Sequence, residues 1–254
     1  MNKFSKYLTL AAASALCSFS AQAYTVNFDY VVPVDGSGKT STLIGAANVS
    51  NIGGSSGVFI ETFDRPAGGG CGTNSLASLV TITGAFGIQS GSNSWGAAPA
   101  GDGTCYAFGP TPGGDLPASV TLDYTNFLAT LPTGSSLNYF GLYYGSIDNY
   151  NEISFYGAGG KITTVLGSEL LTQFSGVTGN QQADSSNIYV NLYFDPSEAF
   201  TAFSFTTRSV AFEMDNAVIG YNITPGQSVP EPESLALVGL GLLGLAASRR
   251  RKAV

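Results

Sequence analysis

The stretch NIYVNLYFD, residues 187–195, alternates apolar and polar side chains without a break. Successive side chains of a β-strand point to opposite faces, so a strand here carries all its large aliphatic groups on one face. That face consists of Ile188, Val190, Leu192 and Phe194. Residues 24–32, YTVNFDYVV, show the same period of two. Alternation over this length predicts strands with one buried face and one exposed face.

Strand-like composition continues through the chain and predicts an all-β domain. Gly- and Pro-rich turn sequences separate most of the segments. Residues 168–174 fit either a short helix or another strand. About eleven strands with regular turns favour a two-sheet β-sandwich of the jelly-roll type, and a barrel is the alternative. The nine further strand segments are residues 58–63, 76–83, 119–124, 137–144, 152–156, 161–166, 200–206, 208–214 and 217–224.

The N-terminus has the three parts of a secretory signal peptide. Lys3 and Lys6 make the start basic, residues 7–19 are mainly apolar, and Ala21-Gln22-Ala23 is a small-x-small cleavage site. The apolar run is shorter than the ~20 residues that a membrane-spanning helix needs. We therefore expect residues 1–23 to form a signal helix that signal peptidase removes, so that the mature chain begins at Tyr24.

The C-terminus carries a second special segment. Pro230-Glu231-Pro232 precedes LALVGLGLLGLAA, residues 235–247. A helix of that length spans only ~20 Å, against a hydrocarbon core of ~30 Å. The sequence predicts a linker at 223–233 and a short transmembrane helix with a basic tail at 234–254. The basic cluster, expected on the cytoplasmic side, is Arg249, Arg250, Arg251 and Lys252.

In this combination the tail resembles the PEP-CTERM sorting signal of exosortase-dependent bacterial surface proteins. The resemblance implies recognition by an exosortase, a membrane-embedded transpeptidase-like enzyme, and cleavage near residues 230–232. It also implies an inner-membrane intermediate, a destination at the cell surface or extracellular matrix, and exopolysaccharide as a candidate partner. Residues 139–156, 189–194 and 211–220 resemble segments of one subgroup of such proteins. The alternative is a simple C-terminal anchor.

The domain between the two signals, residues 24–222, is strongly acidic. It holds four basic and fifteen acidic residues, which gives a formal charge of −11. Such a surface repels phosphate backbones, so nucleic acid is excluded as a partner. Its two cysteines are Cys71 and Cys105. An even cysteine count in an exported chain predicts a disulfide between them.

The chain contains no histidine. This excludes Ser-His-Asp and Cys-His catalysis and any zinc site that uses histidine. We expect no enzymatic activity. The remaining enzymatic alternative is a glycoside hydrolase with two carboxylates. The available close pairs are Asp148 with Glu152, and Glu213 with Asp215, which lie two residues apart on one strand face.

Two kinds of ligand remain possible for this domain, a calcium ion and a sugar. The sequence predicts no cofactor except a calcium ion, whose oxygen ligands would be Asp148, Asn149, Glu152, Glu213 and Asp215. The alternative is that such residues form Asx turns. Sugars would stack on exposed aromatic rings, for which Trp95, Tyr143 and Tyr144 are the candidates, unless these rings fill the core. We expect a structural or adhesive role, with a carbohydrate-binding module as the alternative.

Overall fold

The structure is a computed structural model that describes residues 23–65, 69–73, 78–84 and 86–224. The predicted signal helix, except for Ala23, and the predicted C-terminal helix lie outside these residues. Within the described ranges, no helix is both long and apolar enough to cross a membrane.

The described part of the chain contains twelve strands and two α-helices. In chain order, these are β1 (Tyr24–Asn27), β2 (Gly57–Glu61), β3 (Thr81–Gly84), β4 (Gly87–Ser90), β5 (Cys105–Gly109), β6 (Ala118–Asp123), α1 (Thr125–Leu128), β7 (Leu137–Gly145), β8 (Asn151–Gly157), β9 (Gly160–Leu166), α2 (Gly167–Phe174), β10 (Ile188–Phe194), β11 (Ala202–Thr207) and β12 (Phe212–Tyr221). A 3-10 turn, Pro196–Glu198, separates β10 from β11.

The strands form two antiparallel sheets. The first has the order β1-β10-β7-β12-β5-β4, with β2 also paired to β12, and the second has the order β3-β6-β11-β8-β9. Strands β5 to β12 thus contribute β5-β12-β7-β10 to one sheet and β6-β11-β8-β9 to the other, which is the strand order of a jelly roll. The predicted all-β, two-sheet architecture is confirmed, and the ambiguous residues 168–174 lie in helix α2.

The core lies between the sheets and is dominated by phenylalanine rings. Ile188, Val190, Leu192 and Phe194 of β10 all belong to it, as their alternation predicts. Rings from opposite sheets meet directly. The centroid of Phe140 lies 4.6 Å from that of Phe203, and Phe155 lies 4.8 Å from Phe194. Such contacts hold the two sheets face to face.

The outer face of the first sheet is buried as well, which the period-two pattern does not predict. Residues 28–56 cover part of this face. Asn191 of β10 donates hydrogen bonds from Nδ2 to the carbonyl oxygens of Asn27 (3.3 Å) and Asp29 (2.8 Å). Gly38 passes so close to the Tyr143 ring that a Cβ atom there would collide with it. Strands β7 and β12 are therefore buried on both faces.

The structure corrects the strand assignment at several places, and the strand predicted at 24–32 ends at Asn27. Strands β4 and β5 fall where the Gly-, Ser- and Pro-rich composition indicated loops. The two strands predicted at 208–214 and 217–224 are one strand, β12, interrupted by a shift of its register against β7 between Asp215 and Val218. Asn216 at this bulge has a φ of +47°, which asparagine tolerates better than most residues.

The predicted disulfide is confirmed. Cys71 and Cys105 are bonded; their Cα atoms are 5.4 Å apart, and the two residues are separated by 34 in the sequence. Cys105 is the first residue of β5, so the bond fastens the segment that carries Cys71 to the first sheet.

We expect the double substitution Cys71→Ala and Cys105→Ala to lower the free energy of unfolding by about 3–4 kcal/mol, because the open loop raises the entropy of the unfolded chain. Urea denaturation of the oxidised protein and the variant measures this difference. Dithiothreitol should destabilise the wild type and leave the variant unchanged. Equal stability of oxidised and reduced wild type would contradict the prediction.

Candidate functional site

Trp95 lies in the loop that joins β4 to β5, and its side chain is only partly buried. The loop is held by its own polar groups. The Asn93 side-chain oxygen accepts from the backbone N–H groups of Trp95 (2.7 Å) and Gly96 (3.1 Å). The Tyr106 hydroxyl lies 2.9 Å from the Gly96 carbonyl oxygen and donates to it. These bonds fix the backbone around a partly exposed indole ring.

Tyr143 and Tyr144 are fully buried on opposite faces of β7. Tyr144 packs in the core, with its ring centroid 4.9 Å from that of Phe205. Tyr143 lies on the outer face, and its hydroxyl donates to the carbonyl oxygen of Ala100. Neither ring presents the exposed surface that sugar stacking requires. A carbohydrate site around Trp95 therefore remains a prediction without these two tyrosines.

The carboxylates and amides after β7 bond to side chains of their own turn and of two more distant segments. Asp148 Oδ2 accepts from the Tyr150 hydroxyl at 2.5 Å. The Thr178 hydroxyl lies 3.2 Å from Asp148 Oδ1 and 3.0 Å from Asn149 Oδ1. Glu152 forms an ion pair with Arg208 at 3.2 Å. These oxygens are thus engaged within the protein, but the contacts join side chains and are not Asx turns, in which a side-chain oxygen accepts from the backbone N–H two residues on.

Glu213 and Asp215 both point to the buried outer face of the first sheet. Glu213 Oε1 accepts from the Ala97 N–H at 3.0 Å, and Oε2 accepts from the Ser146 hydroxyl at 2.9 Å. Burial raises the pKa of Glu213 to about 7, although these two hydrogen bonds favour its charged form. Burial raises the pKa of Asp215 well above its usual value, and the carboxylate of Asp102 raises it further.

The five predicted calcium ligands do not form one site. Three of them, Asp148, Asn149 and Glu152, lie in and after the turn that follows β7, and the other two lie on the covered face of β12. Across the described ranges, no group of three Asp, Glu or Cys side chains is arranged to hold a metal ion. The predicted ligand set is therefore corrected, and calcium binding stays a prediction.

A buried polar cluster on the outer face had no signal in the local sequence. The Asn48 side-chain nitrogen lies 2.8 Å from Asp35 Oδ2 and 2.8 Å from Asn216 Oδ1. The Asn216 side-chain nitrogen lies 2.9 Å from the carbonyl oxygens of Ser37 and Lys39. These residues come from the two ends of the domain, so no motif spacing joins them.

A comparison with family models finds one match, the PEP-CTERM protein-sorting motif, over residues 228–252. The chain carries a PEP-CTERM sorting motif. The match includes Pro230-Glu231-Pro232 and the basic cluster Arg249–Lys252, so the resemblance of the tail is confirmed. None of the curated proteins compared with the chain matches it.

The PEP-CTERM motif indicates how the protein is exported and processed. It implies an exported protein that passes through the membrane to the cell surface and is processed by an exosortase at the membrane. The motif residues themselves lie outside the described part of the structure. The domain that precedes them ends close by, because hydrogen bonds between Asn138 and Ile223 (2.7 and 2.9 Å) continue the fold past β12.

The raised pKa of Glu213 predicts a pH-dependent stability. The folded-state pKa, about 7, lies above the reference value of 4.5, so folded Glu213 retains a proton that the unfolded chain releases. Its contribution is present below pH 4.5 and is lost as pH rises to about 7. Glu213→Gln should remove on the order of 3 kcal/mol of this dependence.

Urea denaturation between pH 5 and pH 8 in EGTA checks this expectation. The wild type should lose more stability over that range than Glu213→Gln. The control Glu198→Gln, in the 3-10 turn before β11, should follow the wild type. Parallel curves for the wild type and Glu213→Gln would show that Glu213 is charged throughout the range.

Proposed function

We propose that the protein is a structural or adhesive component of the cell surface or extracellular matrix, delivered there by exosortase processing of its tail. The observation that carries this proposal is the PEP-CTERM motif at residues 228–252, which begins seven positions after the last strand ends at Tyr221. A folded β-sandwich joined so directly to a sorting motif suits a protein whose whole domain is displayed or released.

The state of the candidate catalytic pair supports this role over hydrolysis. Glycoside hydrolases need two carboxyl groups that flank a sugar, one to protonate the leaving group and one to attack or activate water. Glu213 is 4% exposed and both of its oxygens accept hydrogen bonds from the covering loops, while Asp215 is 0% exposed. The raised pKa of Glu213 is a consequence of its burial beneath a loop.

The charge of the domain is consistent with an extracellular matrix. The formal charge of −11 over residues 24–222 keeps the protein soluble. Exopolysaccharide is the partner that the exosortase-dependent route suggests, and neutral sugars or cation-bridged acidic sugars are the chemistries that such a surface accepts.

The mass of the protein exported by its native host tests the sorting route. We expect it to lack residues 1–23 and everything after about Pro232, and to carry any attached glycan or lipid as added mass. Deletion of the exosortase gene should leave the C-terminal tail in place. An intact tail in both strains would show that the protein is anchored by an unprocessed C-terminal segment.

A carbohydrate-binding module is the second candidate, favoured by the fixed loop around Trp95. Bonds from Asn93 hold the backbone while the indole stays partly exposed, as a stacking platform requires. Trp95→Ala should lower the affinity for any glycan bound on an array by at least tenfold, the loss typical of an anchoring aromatic residue. Tyr30→Ala removes another partly exposed ring and should leave binding unchanged. Glycan binding that survives Trp95→Ala would place the site elsewhere.

A further inference from the structure

The first sheet changes partners along one edge of β12. Residues Phe212–Met214 pair with β5, and residues Ala217–Tyr221 pair with β2. Asp215 and Asn216 lie between the two partner strands, at the point where the register against β7 also shifts. The sheet is therefore interrupted beside Asp215, directly under the loops that cover its outer face.

Asp215 at this interruption and Asp102 in the loop before β5 both have carboxylate oxygens without hydrogen-bond partners among the described residues. Asp215 is fully buried, and neither of its carboxylate oxygens accepts a hydrogen bond from the residues that the structure describes. The N–H of Asn216 favours the charged form of Asp215 but does not reach hydrogen-bond geometry. Asp102 accepts from the Thr104 N–H and hydroxyl through Oδ1, both at 2.8 Å, while its buried Oδ2 has no partner in the described ranges.

The surrounding charge is negative. The charges that act most strongly on Asp215 are the carboxylates of Asp102, Asp64 and Asp35. Lys39 is buried on the same side of the sheet, but its ammonium group bonds to other residues. It lies 3.0 Å from Asp184 Oδ1 and 2.6 Å from the carbonyl oxygen of Asn187.

Segments that are distant in the sequence are hydrogen-bonded to one another around this interruption of the sheet. Ser37 forms an antiparallel bridge with Asp102, and Asn216 donates to the Ser37 carbonyl oxygen at 2.9 Å. Asp64 Oδ1 accepts from the N–H of Cys105 at 3.1 Å, next to the disulfide. The backbone that carries Asp102 and Asp215 is thus fixed by these bonds, and Asp215 itself is fully buried.

Protonation alone does not satisfy such a group. A neutral carboxyl group still has an O–H that needs an acceptor, and neither Asp215 oxygen has a hydrogen-bond partner among the described residues. A cation neutralises the charge and occupies the oxygen lone pairs at the same time. A bound cation therefore satisfies both the charge and the oxygen lone pairs of Asp215, whereas a proton neutralises only the charge.

We propose that Asp102 and Asp215 bind a calcium ion beneath the outer face of the first sheet, with Asp35 and Asp64 adding negative charge around it. Ca²⁺ takes six to eight oxygen ligands, including carbonyl oxygens and water, so two carboxylates with neutral oxygens suffice. Asn48 Oδ1 in the same cluster is buried and unpartnered among the described residues. Structural zinc sites are built from thiolate and imidazole ligands, and both cysteines of the domain are in the disulfide.

This site differs from the ligand set predicted from sequence, with which it shares only Asp215. It assigns the turn after β7 no part in binding. It also gives the covering loops a role, because an ion at Asp102 and Asp215 links the loop before β5 to the centre of the sheet.

Calcium titration of the full-length protein after EGTA treatment tests the proposal. We expect one ion bound, with a dissociation constant of about 10⁻³ M or tighter, as in extracellular calcium modules. At 10 mM Ca²⁺, the melting temperature should rise by about 3–10 °C. Mg²⁺ should have a smaller effect, because it demands a more regular geometry.

Asp215→Asn separates the calcium site from a merely buried carboxylate. In EGTA the variant should be at least as stable as the wild type, because it lacks the unpartnered charge. With calcium it should lose the rise in melting temperature, and its affinity should fall by about tenfold or more. Asp148→Asn, the matched control, should keep the wild-type response.

Two results would overturn the proposal. One is a wild-type protein that shows neither heat of binding nor a change in melting temperature with calcium. The other is binding that persists in Asp215→Asn and disappears in Asp148→Asn. If Asp215→Asn does not fold, Asp102→Asn serves as the second variant. The wild-type titration is decisive in either case.

Discussion

Strand β12 is the element on which the rest of the domain depends. It is hydrogen-bonded to β7 along one edge and to β5 and β2 along the other. Its inward side chains, among them Phe212, Met214 and Ile219, belong to the core, while Glu213 and Asp215 point outward. A strand in this position has no edge left to present to solvent, and the covering loops bury its outer face too.

Burial on both faces explains the unusual polar content of the interior. Residues 28–56 and the loop before β5 bring amides, hydroxyls and carboxylates against the outer face of the first sheet. Most of these groups find partners, as Glu213 does with Ala97 and Ser146. An unpartnered buried polar group costs about 1–3 kcal/mol and a charge costs more. The exceptions at Asp102 and Asp215 are therefore the places where a ligand has most to contribute.

The strands with a strict period of two could be predicted from sequence, because one buried face imposes it. Residues 187–195 are the best example. Strands β4 and β5 could not, since they lie in Gly-, Ser- and Pro-rich sequence and are fixed by pairing with each other and with β12. The disulfide could be predicted from the even cysteine count of an exported domain.

The surroundings of the candidate site residues also depend on pairing between distant segments, which the local sequence does not reveal. Tyr143 and Tyr144 are neighbours on one strand, and alternation suggests that one of them is exposed, but the covering segment buries both. The carboxylates near Asp215 come from positions 35, 64 and 102. No local pattern connects them, because long-range pairing creates their neighbourhood. The sorting motif is the opposite case, since contiguous residues carry it and it was recognised from sequence.

The position of β12 also sets the order of events during secretion. A chain that crosses the membrane from its N-terminus delivers β12 last, yet this strand fills the middle of the first sheet. Until Tyr221 has emerged, β7 and β5 each expose an unpaired edge, and such edges invite aggregation. The chain from Thr224 to Pro230 makes six Cα–Cα steps and reaches at most ~20 Å. If the motif is processed at the membrane, as its match implies, the cut is made within that distance of the folded sandwich.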